Sequence, residues 1–156
     1  MRKKYWLLIP LLLIIGFVGL FSKNELWTSN AKLLKEKMHA ELSEGDQVKL
    51  SEFTPFEWDE VYSFNPYSSK EIIYETIGYK WDDISETVSE GMNQIVFMKA
   101  GEVVCYIYGY PESNGNGIFF LNSGVGEDYT RLNATDQDVF SVEIREEIVY
   151  LSMNRS

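Results

Sequence analysis

Tyr106, Tyr108 and Tyr110 are the residues of this chain best suited to recognition. Residues two apart share one face of a strand, so the three rings make an aromatic stripe. Phenol rings bring apolar area and a polar rim, the combination used against peptides, glycans and protein surfaces. Groups suited to bond-breaking chemistry are scarce. Cys105 is the sole cysteine and His39 the sole histidine, in segments of different character, so a thiol nucleophile has no neighbouring base. Cys105 lies in Val103-Val104-Cys105-Tyr106-Ile107, a run in which a thiol behaves as a small buried hydrophobe. A single cysteine excludes an intrachain disulfide, and one His with one Cys argues against a zinc site.

The carboxylates are numerous but do not select a pair. Asp82-Asp83 and Glu146-Glu147 are adjacent, which sets partners on opposite faces of a strand or on a solvated turn. A glycosidase-type dyad needs a separation that only a fold can set. In the polar stretch 122–138, Glu127, Asp128, Asp136 and Asp138 offer oxygen ligands for Ca²⁺, without the spacing of an EF-hand loop. No phosphate-binding glycine loop, dinucleotide fingerprint or nucleophile elbow occurs. The expectation is a non-enzymatic chain with no cofactor and no metal, binding a protein or peptide through Tyr106, Tyr108 and Tyr110. The alternative is a small extracytoplasmic ligand-sensing or Ca²⁺-binding module.

The leader sets the compartment. Arg2, Lys3 and Lys4 precede an apolar run, Tyr5 to Phe21, that carries no charge. Such a pattern is an export signal or a membrane anchor, with the basic triplet inside and the following chain translocated. As a helix the run reaches roughly 25 Å, against a hydrocarbon core of about 30 Å. Small residues for cleavage are missing directly after Phe21, and Ser29-Asn30-Ala31 is the best match. The expected organisation is residues 1–22 as a signal anchor or cleaved signal peptide, 23–29 as a stalk, and 30–156 as one extracytoplasmic domain. The chain is then held at the cell membrane by one pass, or secreted if the leader is removed. All 24 acidic residues but only 11 of the 14 basic ones follow residue 22, leaving that part with a net charge of −13. That balance disfavours nucleic acid and anionic lipid and favours basic partners.

Periodicity supplies the elements that must position the tyrosines. Residues 30–44 read as an amphipathic helix, with Leu34, Met38 and Leu42 four apart and Leu33 beside them. Ser29 or Asn30 caps it and Gly45 ends it. Gln47 to Leu50 suggests a short strand, and Glu57 to Phe64 a stronger one carrying Trp58, Val61, Tyr62 and Phe64. Ser68 with Glu71 forms a capping box for a helix bearing Ile73 and Ile77, which Gly78 stops. Residues 80–93 are irregular, with Trp81 as the core residue. Gln94 to Lys99 and Val103 to Tyr110 make a hairpin around Ala100-Gly101-Glu102. Val103, Cys105 and Ile107 share the face opposite the tyrosines. Residues 111–117 read as a loop, Ile118 to Leu121 as a strand and 122–138 as a surface loop. A last hairpin joins Val139 to Ile144 and Ile148 to Met153 across Arg145-Glu146-Glu147. The expected fold is α+β: an antiparallel sheet with two helices packed on one face, after an N-terminal hydrophobic segment. The tyrosines then stand on the open face.

The segment Phe56 to Ile72, with Trp58-Asp59-Glu60-Val61-Tyr62 leading to Pro66-Tyr67 and the Ser68 cap, is the most distinctive. It resembles a family of small signal-bearing, membrane-anchored extracytoplasmic proteins of Gram-positive bacteria. There, a Trp-Asp-x-Val/Met-Tyr strand runs into a Pro-Tyr turn and a capped helix. The resemblance extends through Gly78 and Trp81, about a third of the exported part. It implies a bacterial source and an extracytoplasmic location. It brings no activity and no functional residue with it.

Overall fold

The computed structural model describes residues 26–121 and 127–154. The apolar run Tyr5 to Phe21 and residues 122–126 lie outside the described residues. Among the described residues no helix is long and apolar enough to cross a membrane. Helix α1 covers residues 26–41. It is followed by β1 (Gln47–Val48), α2 (Leu50–Phe53), β2 (Glu60–Phe64), α3 (Lys70–Ile77), β3 (Asn93–Lys99) and β4 (Glu102–Gly109). Then come α4 (Pro111–Asn114), β5 (Asn116–Phe119), β6 (Tyr129–Asn133), β7 (Phe140–Arg145) and β8 (Ile148–Met153).

The α+β class stands, but the single sheet does not. The described strands form two four-stranded sheets, ordered β1-β7-β8-β5 and β4-β3-β2-β6. Neighbours are antiparallel except β5, which lies parallel to β8. Strand β5 and the short helix α4 occupy what reads as loop in residues 111–117, and β6 lies in the stretch expected to be a surface loop.

Two cores divide the apolar residues. Val61, Ile95, Phe97, Cys105, Ile107 and Leu132 of one sheet meet Ile118, Phe140, Val142, Val149 and Leu151 of the other, with Leu34 and Met38 of α1. Phe97 anchors this layer, edge-on to Phe56 at 5.4 Å and Trp58 at 5.5 Å, contacts of about 0.5–1.5 kcal/mol each beyond their buried area. The second core lies on the opposite face of β4-β3-β2-β6, where Tyr62, Phe64, Val96, Met98, Val103 and Tyr106 meet Ile73 and Ile77 of α3 and Ile84. Helix α1 buries Leu34 and Met38 in the first core and lays Trp27 against the second, whereas α3 serves the second alone, so the two longer helices do not pack side by side on one face. Ile84 is 1 % exposed and Thr87 2 %, so the acidic, aperiodic stretch after α3 is a packed cover.

Local signals are met with small shifts. The α3 cap is Ser69, whose hydroxyl accepts from the Ile72 amide at 3.4 Å. Ser68 is buried and donates to the Asp128 carbonyl, so the capping box with Glu71 does not form. Gly78 ends the helix at φ +89°, a conformation that glycine adopts without a Cβ clash. Helix α1 includes residues 26–29, expected to be stalk, and Ser29 and Asn30 stand inside it as helical residues. Leu33 is exposed while Leu34 and Met38 are fully buried.

Candidate functional site

The β3–β4 hairpin determines where the tyrosines point. Ala100 and Gly101 both have positive φ, +50° and +78°, which is the two-residue turn that matches strand twist. Asp59 holds it: its carboxylate accepts the Ala100 amide at 2.7 Å and the Lys99 ammonium at 2.8 Å. The Ala100 amide and the Lys99 ammonium keep the Asp59 carboxyl below its usual range. Asp59 is therefore a turn residue. Next to the turn the register slips between Phe97 and Met98, so that Phe97 faces Cys105 while Met98 faces Val103. Val104 is the extra residue of a β-bulge. One inserted residue reverses the alternation, and Val103 joins the tyrosine side instead of the Cys105 side.

That tyrosine side is covered. Tyr106 is 6 % exposed, with Trp81 at 5.2 Å and Trp27 at 5.9 Å between ring centroids. Its hydroxyl accepts the Ser85 amide and lies 3.3 Å from the amide nitrogen of the buried Gln94. Burial pushes the phenol up to about 12. Tyr106 is thus a core residue, and the expected open stripe is corrected by α3 and by residues 79–92 lying over it. Tyr108 is half-buried and donates its hydroxyl to the Glu86 carbonyl at 2.8 Å. Tyr110 is exposed, at the N-terminal boundary of α4.

The open feature is the outer edge of β4. This strand ends its sheet, so half of its main-chain groups face away from β3. The bulge orphans the Val104 carbonyl, and Asn30 of α1, itself 7 % exposed, donates to it at 2.8 Å. On the turn side, the Val103 amide donates to the Tyr79 hydroxyl at 3.1 Å. At the other end, Asn114 of α4 donates to the Tyr108 carbonyl at 2.9 Å. That bond identifies Tyr106 and Tyr108 as the residues whose main chain points outward. Between the two asparagines, the Tyr106 N–H and C=O and the Tyr108 N–H have no hydrogen-bonding partner among the described residues.

These groups line a groove of about 300 Å³ between α1 and α4. Ala31, Lys32 and Lys35 form one wall, Ser113, Asn114 and Asn116 the other, and Tyr106 to Tyr108 the floor. The volume matches the lower end of small binding sites. The strand and its tyrosine face are legible in the sequence, but the free groups lie on the strand's edge. The bulge and the two asparagine clips had no local signal.

Other candidate groups are engaged or isolated. Cys105 is fully buried, and burial pushes its thiol far above its usual value. His39 is exposed on α1. Asp136 accepts the amide of Asn133 at 2.6 Å and its side chain at 3.1 Å. Among the described residues no three His, Cys, Asp or Glu side chains converge as metal ligands. No family model, no curated protein and no solved structure matches this chain.

Proposed function

We propose that this chain is a non-enzymatic, membrane-anchored extracytoplasmic domain that binds a protein or peptide by taking an extended segment onto the free edge of β4. The single observation that carries the reading is that the Tyr106 N–H and C=O and the Tyr108 N–H face the groove without a partner among the described residues, flanked by edge groups that side chains do satisfy. Edge main chain recognises any extended segment by strand addition, and the side chains around it select among them. The anchor rests on the basic triplet and apolar run of the leader. The acidic composition and the absence of a paired nucleophile and base argue for recognition over catalysis.

The test is site-specific photocrosslinking in intact cells, with the probe at Ser113 in the groove or at the exposed Ser152 of β8, outside the groove. A protein adduct is expected from position 113 and none from 152. Tyr108→Pro removes the outward amide and abolishes the adduct, while Tyr108→Ser keeps the amide and retains it. Equal labelling from both positions, or an adduct indifferent to the proline, would overturn the reading.

A further inference from the structure

Resting on that reading, we infer that the β4 groove selects an extended segment carrying an Asp or Glu side chain, whose carboxylate is seated between Lys32, Lys35 and Asn116. Three observations converge. First, the exported part is strongly acidic, yet two lysines of α1 line this groove and, among the described residues, no carboxylate does. Lys32 has a loose, exposed ion pair with Glu36 at 3.7 Å. Lys35 has no ion-pair partner among the described residues. A conventional acidic surface would neutralise such cations locally, and this groove leaves Lys35 available.

Second, Asn116 is 4 % exposed and lines the same groove, and among the described residues its amide nitrogen reaches only the Met38 sulfur, at 3.7 Å. A thioether is a weak acceptor. An amide donor that deep normally has an oxygen partner, and a ligand carboxylate would supply one. Third, the loop beneath Lys35 is shaped by Gly115. A Cβ there would meet Lys35 Cε and Nζ at 3.3 Å and His39 Nε2 at 3.4 Å. Gly115, at φ +78°, lets the lysine lie against the end of α4 and still line the groove.

These groups complement one another. The edge amides of Tyr106 and Tyr108 fix the main chain of an extended segment. The ammonium groups and the Asn116 amide then receive one carboxylate at its flank through charge-assisted hydrogen bonds. The surrounding negative surface repels anionic chains at long range, so attraction acts only within the groove, over roughly the 8–10 Å that salt leaves unscreened.

The experiment uses the full chain in neutral-lipid nanodiscs and three Thr/Val-rich heptapeptides, acetylated and amidated at their ends, that differ only in a central Glu, Gln or Lys. Backbone amide shifts locate binding and give the dissociation constants. The Glu peptide binds about fivefold more tightly than the Gln peptide, as expected for a solvent-accessible ion pair. The Lys peptide is weakest, and Lys35→Gln or Lys32→Gln reduces the Glu advantage without changing the thermal midpoint. Equal affinity for all three, with shifts at Tyr106 and Tyr108, overturns the charge selection and leaves edge binding standing. No shift at Tyr106 or Tyr108 with any peptide removes both.

Discussion

The outer edge of β4 is closed in one half and open in the other. From Val103 to Val104 the groups facing away from the sheet meet the Tyr79 hydroxyl and the Asn30 side chain. Around Tyr106 and Tyr108, only the Tyr108 carbonyl has a partner, the Asn114 amide. The closed half lies where α1 crosses the edge and excludes water, so an unpaired carbonyl there would carry its full desolvation cost. The open half faces a groove that water or a ligand can fill, and its groups need no internal partner. The fold thus seals an edge strand where burial demands it and leaves the rest as a short template too narrow for edge-to-edge aggregation.

The largest break in this contrast comes from the floor beneath it. Tyr106→Ser removes a buried ring packed on Trp27 and Trp81 and lowers stability by about 3–5 kcal/mol, read from chemical denaturation. Tyr108→Ser, at a half-buried ring, costs far less. A wild-type denaturation midpoint for Tyr106→Ser would return the stripe to the surface.

Alkaline pH probes the same ring without a change in packing. Folding raises the Tyr106 phenol from 10.0 to about 12, and the Tyr62 phenol likewise. Their contribution is whole below pH 10 and is lost as pH climbs through about 12, roughly 2–3 kcal/mol for the deeper Tyr106. Stability therefore falls over that window in the wild type and more gently in a Tyr62→Phe/Tyr106→Phe double variant. Parallel slopes for the two proteins would show that these phenols are not the titrating groups.

The two asparagines sharpen the contrast most directly. Asn30→Leu strands the Val104 carbonyl in a buried place and costs about 1–3 kcal/mol. Asn114→Ala exposes the Tyr108 carbonyl to the groove, where water replaces the lost donor, and costs under about 1 kcal/mol. Reversed magnitudes, measured by the same melts, would mean that the groove half is the sealed one.

Local chemistry was legible in the chain wherever one residue or one turn decides it. Gly78 stops α3, Ala100-Gly101 and Glu146-Glu147 turn the hairpins, and Leu34 and Met38 point α1 inward. Ser68 misled because its hydroxyl goes to Asp128, 60 positions away, leaving Ser69 to cap. Ile84 and Thr87 had no periodicity to betray them, since an irregular segment is buried by what it covers.

Residue types alone determined that this chain is acidic, carries an uncharged apolar run from Tyr5 to Phe21, and folds as α+β, because composition and periodicity are properties of the chain itself. Which face of β4 is covered, where its bulge falls, and that α1 and α4 leave a groove with unpartnered main chain were decided only in three dimensions. Those outcomes depend on groups far apart in sequence competing for the same hydrogen bonds and the same buried surface. No local pattern of side chains encodes that competition.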